Sequence, residues 1–137
     1  MITAFDHVGF RVADAARSEA FYALLGFEVT FRSPAQPVVI LRNSVGVELN
    51  LIVNADPGLD GSNVLMDIPA KHAGITHVAL RVRSIEETVQ VLAALGIPIT
   101  EGPVKLGPGR SLFLREPDRN VIELREAEGP LLGQGSA

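Results

Sequence analysis

Cysteine and tryptophan are both missing from this 137-residue chain, and tyrosine occurs once. Without cysteine there is no disulfide framework, no thiolate nucleophile and no cysteine-ligated zinc. Aromatic residues are scarce, lysine and arginine do not cluster, and the formal net charge is -4. That balance tells against nucleic acid, which asks for a basic patch and stacking platforms. No apolar run is long enough to span a bilayer, and the first residues lack the basic flank and apolar core of a secretory leader. These absences lead to the expectation of a cytoplasmic protein that contacts neither membrane nor nucleic acid.

What is present is apolar and ordered. Hydrophobic residues make up 47% of the chain and charged ones 20%, which suits a folded domain with a substantial core. One stretch, Asp6-His7-Val8-Gly9-Phe10-Arg11-Val12, returns seventy positions later as Thr76-His77-Val78-Ala79-Leu80-Arg81-Val82. Both copies alternate with period two and read as strands carrying a histidine on the less apolar face. A repeat this long sets the architecture. Asp14 and Ser84 are N-caps of two amphipathic helices, Ser84 with Glu87 forming a capping box, and Gly26 and Gly96 close them. Phe21, Leu24 and Leu25 mark the apolar stripe of the first helix; Ile85, Val89 and Leu92 mark that of the second. Residues 27–31 and 97–100 then read as short strands.

Two further strands follow in each half: 38–42 with 111–115, offset by 73, and 45–49 with 120–124, offset by 75. The change of offset implies that the last connection of the second half, Glu116-Pro117-Asp118-Arg119, is longer by two residues than its counterpart at Asn43-Ser44. The expected organisation is one structural domain of α+β class, built from paired βαβββ modules that form a concave mixed sheet with helices outside. The modules span 1–53 and 75–128, joined by a linker at 54–74 rich in turn-forming residues. Residues 129–137 read as a disordered tail. Gly107-Pro108-Gly109-Arg110 lacks the strand and helix of a phosphate loop and reads as a turn.

The polar faces of these strands carry His7, Glu48, His77 and Glu123. A single such histidine or glutamate is ordinarily a solvated residue of a half-wet sheet. Two His/Glu pairs at repeat-related positions point to something else, one cavity holding two imidazoles and two carboxylates. That set suits zinc, nickel, cobalt, iron or manganese, and is too nitrogen-rich for calcium. His72 has no repeat partner and reads as an exposed linker residue. Arg11 and Arg81 either cap the sheet edge or bind an anionic substrate.

The chain resembles the vicinal oxygen chelate superfamily, which includes glyoxalase I, extradiol dioxygenases, methylmalonyl-CoA epimerases and fosfomycin or bleomycin resistance proteins. The resemblance runs from about Ile2 to Glu126 and is carried by the two histidine strands, by Phe21-Tyr22-Ala23-Leu24-Leu25-Gly26-Phe27, and by Glu116-Pro117-Asp118-Arg119-Asn120-Val121-Ile122-Glu123-Leu124. It implies one divalent ion per site, nickel, zinc or cobalt first, then iron or manganese, held by His7, Glu48, His77 and Glu123. It also implies a homodimer, in which modules of two chains often complete each site. The full His/Glu/His/Glu set resembles glyoxalase I, or lactoylglutathione lyase, and Gly102-Pro103-Val104-Lys105 resembles a stretch whose lysine helps hold the glutathione moiety. The residues after Glu48, Asn50-Leu51-Ile52, depart from the usual glutathione-contacting run.

The implied reaction converts the hemithioacetal of a 2-oxoaldehyde through an enediolate, with the metal as Lewis acid and Glu123 or Glu48 as base, Glu123 favoured. Arg11 and Lys105 are the expected substrate contacts. An extradiol-type dioxygenase would need iron and no ligand role for Glu48. An epimerase would need the glutamine usual at the Glu48 position. A resistance-type binding protein would use the same cavity without chemistry.

Overall fold

The computed structural model describes residues 1–131. In chain order the elements are β1 (Val8–Arg11), α1 (Ala15–Leu24), β2 (Glu28–Arg32), β3 (Val38–Arg42) and β4 (Glu48–Ile52). The same order returns as β5 (His77–Arg81), α2 (Ile85–Leu95), β6 (Glu101–Leu106), β7 (Gly109–Arg115) and β8 (Val121–Glu126). Each half is a βαβββ module with its own four-stranded sheet, ordered β1-β4-β3-β2 and β5-β8-β7-β6. β1 runs parallel to β4 and β5 parallel to β8; the remaining pairs are antiparallel. The α+β repeat expected from the sequence is the fold.

Local chemistry starts and stops the helices. Asp14 accepts from the Arg17 N–H at 2.9 Å, and Ser84 accepts from the Glu87 N–H at 3.2 Å, each satisfying a donor the first turn leaves open. Gly26 (φ 93°) and Gly96 (φ 71°) reverse the chain in the left-handed region. The second helix buries Ile85 and Leu92 as expected. The first does not follow its expected stripe. Leu24 is 47% exposed, whereas Ser18 and Tyr22 are fully buried. Spacing of four places these two on one face, and Phe10, Phe21 and Phe27 pack around the Tyr22 ring.

Alternation sends Leu41, Leu49, Leu51, Leu112, Leu114 and Ile122 into a core shared with Tyr22, Ile85 and Leu92. Several strand boundaries differ from the sequence reading, three of them at strand starts that bear on the alignment of the two halves. Residues 97–100 precede the strand, which begins at Glu101. β4 begins at Glu48 rather than at residue 45, and β8 at Val121 rather than at residue 120. The connections β3–β4 (43–47) and β7–β8 (116–120) are equal in length, so the expected two-residue insertion does not exist.

The linker is tied to the second module. Asp67 accepts from the Arg119 Nε at 2.7 Å and from the Arg115 Nη1 at 3.3 Å. The Arg119 contacts hold the Asp67 carboxyl well below the usual carboxylate range. Arg119 sits at φ 63°, a costly angle for a residue with a side chain, and the two-pronged contact with Asp67 offsets that strain. After β8, Gly129 O accepts from Arg81, which caps the end of the second module. Residues 132–137, the remainder of the expected disordered tail, lie outside the described residues. No helix among the described residues is long and apolar enough to cross a membrane.

The two modules meet through the β7–β8 turn. Asp118 Oδ1 accepts from the Ala13 N–H at 3.2 Å and from the Arg17 Nη2 at 3.0 Å, and Asn120 Nδ2 donates to Arg11 O at 3.4 Å. Glu116, 2% exposed, lies in the same junction with the Tyr22 hydroxyl and Asp118 nearby. Burial pushes the Glu116 carboxyl up to about 7, with the Asp118 charge adding to the rise and the Asn120 N–H opposing it. A carboxyl raised on folding stabilises the fold below its unfolded value, and that contribution is lost as pH climbs through the folded value. Glu116→Gln should therefore change stability little near about pH 4 and stabilise the protein above about pH 7, by up to about 3 kcal/mol. Urea midpoints at acidic and alkaline pH measure this; a mutant-to-wild-type difference independent of pH would contradict it.

Candidate metal centre

The strand register decides which side chains stand beside each histidine. β1 pairs Gly9 with Asn50, and β5 pairs Ala79 with Glu123. Gly9 and Ala79 are repeat partners, so the counterpart of Glu123 is Asn50 and not Glu48. The neighbouring strand agrees, since Ile40 faces Asn50 and Phe113 faces Glu123. Glu48 corresponds to Val121, one alternation step earlier on the same face. The expected equivalence of Glu48 and Glu123 is thus corrected; it came from aligning the two last strands two residues out of step.

In the first module, His7 Nδ1 lies 2.6 Å from Asp6 Oδ1 and 3.5 Å from Glu48 Oε2. The Asn50 carboxamide approaches Nε2 of the ring to 3.0 Å and Glu48 Oε2 to 3.3 Å. The other oxygen of Glu48 is occupied, accepting from Arg42 Nε at 2.9 Å and Nη2 at 2.7 Å. In the second module, His77 Nδ1 lies 2.8 Å from Thr76 Oγ1, and Nε2 lies 3.4 Å from Glu123 Oε1. Glu123 Oε2 accepts from Ser111 Oγ at 3.1 Å, and Ser111 accepts from Arg125 Nη1 at 3.0 Å. Both glutamates are therefore anchored through one oxygen, with the other turned toward a histidine. Both histidines are 40–41% exposed while their glutamates are 10–12% exposed, so each pair sits at an opening with the carboxylate beneath.

The structure does not gather the four expected ligands into one shell within the chain. Among the described residues, only Asp6, His7 and Glu48 place three ligand atoms within 4.8 Å of one another. His77 and Glu123 form a separate pair on the other sheet. A cavity of about 270 Å³ opens beside His77, lined by Met66, Thr100, Glu101, Phe113, Arg115 and Arg119 among others. The Phe113 ring meets His77 edge-on at 6.1 Å. A second cavity, of about 190 Å³, runs between β1 and β5 and takes in Arg11, Asn63, Leu65 and His77. Lys105 lines neither cavity; it is exposed on β6 at the far end from Glu101, paired with Arg110 beside the turn. Arg81 donates to Ala127 O at 2.8 Å, closing the module end, and His72 is exposed in the linker.

The donor types fit a borderline divalent metal, since imidazole nitrogen with carboxylate oxygen is the chemistry of zinc, nickel, cobalt and iron sites. Sequence reasoning missed four contributors: Asp6, Asn50, Thr76 and Ser111. Asp6 and Thr76 carry the same offset of seventy as the histidines they precede. Asn50 follows from the offset of 73 that already related β3 to β7. Ser111 carried no signal of its own; it stands opposite Arg125, one alternation step from Glu123.

Comparison with known proteins agrees with this architecture. A glyoxalase/dioxygenase from Nostoc punctiforme superposes with a TM-score of 0.66 at 22% identity, covering 90% of each chain. Lactoylglutathione lyase from Agrobacterium tumefaciens gives 0.63 at 23% identity over 91% of this chain and 94% of that one. A fosfomycin resistance protein from Listeria monocytogenes gives 0.65 at 20% identity over 90% and 91%. At these identities the likeness is one of fold. The sequence itself matches a family model over residues 4–124, nearly the whole of both modules. The chain belongs to the Glyoxalase/Bleomycin resistance protein/Dioxygenase superfamily.

Proposed function

We propose that the protein is a metal-dependent lyase or isomerase that moves a proton between adjacent carbons of a small substrate bearing two vicinal oxygens, a hemithioacetal of a 2-oxoaldehyde being the first candidate. One observation carries the reading. Two histidines at repeat positions each turn a ring nitrogen toward one register position, occupied by Asn50 in one half and Glu123 in the other. Beside this pattern stands one carboxylate that does not belong to it, Glu48.

His7, His77 and Glu123 would hold the ion, with the Asn50 amide oxygen as a weaker fourth donor. Nickel, zinc or cobalt suits this set, and iron or manganese is compatible with it. The ion would supply Lewis acidity to the two substrate oxygens. Glu48 is the better base, because its place in the register frees it from the ligand set while His7 and Asn50 keep it at the site. Arg42 holds Oε1 and orients Oε2 inward. This reverses the choice of Glu123 drawn from the sequence. Phe113 and Met66 give the cavity beside His77 an apolar wall, and Arg11, which lines the neighbouring cavity, would meet an anionic arm of the substrate.

The separation of the two pairs supports a homodimer. His7 and Glu48 of one copy facing His77 and Glu123 of a second would complete two equivalent sites. Exposed apolar side chains, including Phe5, Phe31 and Ile75, are available for such an interface. Sedimentation should give a dimer that binds metal; a monomer binding one ion per chain would overturn the shared site.

The donor set also favours one second reading. With Asn50 in place of a second ligating glutamate, two histidines and one carboxylate make the facial set of non-haem iron oxygenases. The reactions separate on assay. Metal-loaded protein should form a thioester from methylglyoxal with glutathione or another cellular thiol. Absence of that product, with catechol cleavage by the ferrous form, would favour the dioxygenase instead.

Within the lyase reading, two variants apportion the glutamates. Glu48→Gln should keep metal affinity within about threefold and lower turnover about 10²–10⁴-fold, the usual loss for a general base. Glu123→Gln should weaken metal binding itself, about tenfold or more, because it removes the charged oxygen of the set. Metal titration beside steady-state turnover reads both. Loss of metal from Glu48→Gln with retention in Glu123→Gln would reverse the assignment.

A further inference from the structure

Opposite charges line the cavity beside His77 without pairing with one another. Glu101 of β6 stands opposite Phe113 of β7, and Phe113 stands opposite Glu123 of β8. Arg115 lies two residues beyond Phe113 and shares its face, which makes it a diagonal neighbour of Glu101, about 7–8 Å away along the sheet. Long side chains can close such a gap, yet among the described residues Glu101 forms no ion pair. The arginines turn to the linker instead. Arg115 Nη2 lies 3.2 Å from Asp67 Oδ1, and Arg119 donates to Asp67 from Nε at 2.7 Å and from Nη2 at 3.1 Å. One carboxylate shared by two guanidiniums leaves that wall positive, and Nη1 of Arg119 takes no part in the contact. Thr100 spends its hydroxyl on Phe113 O at 3.0 Å. The cavity therefore has a negative wall at Glu101 and a positive one at Arg119, with Phe113 and Met66 as its apolar lining.

We infer that this cavity selects a substrate whose arm ends in a compact zwitterion, an α-ammonium with its carboxylate, Glu101 receiving the ammonium and Arg119 the carboxylate. A purely anionic arm would meet Glu101, and a purely cationic one would meet the two arginines. An α-amino acid end carries both charges one carbon apart, so a single small group answers both walls. Glu101 lies two strand spacings, about 9–10 Å, from Glu123, so the arm is held beside the histidine site and away from the reacting carbons. Glu101 and Arg119 are thus specificity residues. The inference deepens the proposed function by naming the class of thiol or other co-substrate, and rests on that reading only for the reaction that follows binding.

Shift titrations of the full-length, metal-free, ¹⁵N-labelled protein at neutral pH test it without any assay of activity. The probes are S-methylcysteine, its N-acetyl derivative, which lacks the ammonium, and its methyl ester, which lacks the carboxylate. The wild type should bind S-methylcysteine about tenfold or more tighter than either derivative, the usual scale for losing a charge-assisted hydrogen bond. The shifts should centre on Glu101, Phe113 and Arg119. Glu101→Lys, a change at an exposed position, should make the N-acetyl derivative the better ligand. Arg119→Gly suits the φ of 63° and leaves Arg115 on Asp67; it should abolish the preference for the acid over the ester while keeping that over the N-acetyl derivative. Probes that bind alike or leave the cavity unmoved, or a Glu101→Lys protein that keeps the wild-type order, would overturn the inference. Selective binding by a metal-loaded protein that forms no thioester from methylglyoxal with any cellular thiol would uphold the subsite and reject the lyase reading. Thioester formation from uncharged 2-mercaptoethanol, without selectivity among the probes, would do the reverse.

Discussion

The parallel pairing of the first and last strands of each module is the constraint on which the site depends. β1 on β4 and β5 on β8 each have one register, fixed by the alternation that sends Leu49, Leu51, Ile122 and Leu124 into the core. A slip of one residue would expose every one of those side chains, so burial of the apolar face enforces the register of the polar one. His7 and His77 therefore stand in the same place relative to their neighbours, whatever those neighbours are. The core makes the site symmetric in position; the sequence makes it asymmetric in chemistry.

That asymmetry runs through all the contacts around the histidines. Asp6 faces Thr76 across the repeat, Asn50 faces Glu123, and Glu48 faces Val121. Each substitution leaves the scaffold intact because the core packs against the opposite face of these strands. One half gains an additional carboxylate anchored by Arg42, the other a ligand-grade carboxylate anchored by Ser111 and Arg125. Under the proposed function, the duplicated module would divide holding an ion and moving a proton between its two copies without altering its core. The linker adds a wall to both cavities, with Asp67 held by Arg115 and Arg119, Met66 lining the cavity beside His77, and Asn63 and Leu65 lining the one between β1 and β5.

Most of the fold was legible in the repeat. The histidine strands, both helix caps and β3 were visible because period-two alternation and capping chemistry are local signals. The start of β4 was not. Val45-Gly46-Val47-Glu48-Leu49 alternates as a strand does, yet its first three residues form a turn. Asn43 Oδ1 accepts from the N–H groups of both Val45 and Val47, and Gly46 takes φ 86°, which ends the extended chain there. Side-chain capture of backbone donors competes with sheet pairing and leaves no mark on the hydrophobic pattern. Reading that turn as strand misplaced the alignment by two residues and put Glu48 where Asn50 stands. The exposed Leu24 has a related origin, since Ser18 and Tyr22 supply the buried face and a small polar residue does not announce itself as core. The gathering of four ligands could not be read at all, because it depends on how two sheets are disposed rather than on either strand.

The central claim is that His7, His77 and Glu123 hold the ion while Glu48 stands outside its coordination shell. Anomalous scattering at the metal edge from crystals of the zinc- or cobalt-loaded protein tests it directly. The account predicts one metal peak between His7 of one copy and His77 with Glu123 of a second, at about 2.0–2.2 Å from the nitrogen and carboxylate donors, with Glu48 beyond bonding distance. A peak bonded to Glu48, or one held wholly by the Asp6, His7 and Glu48 group of a single chain, would contradict it.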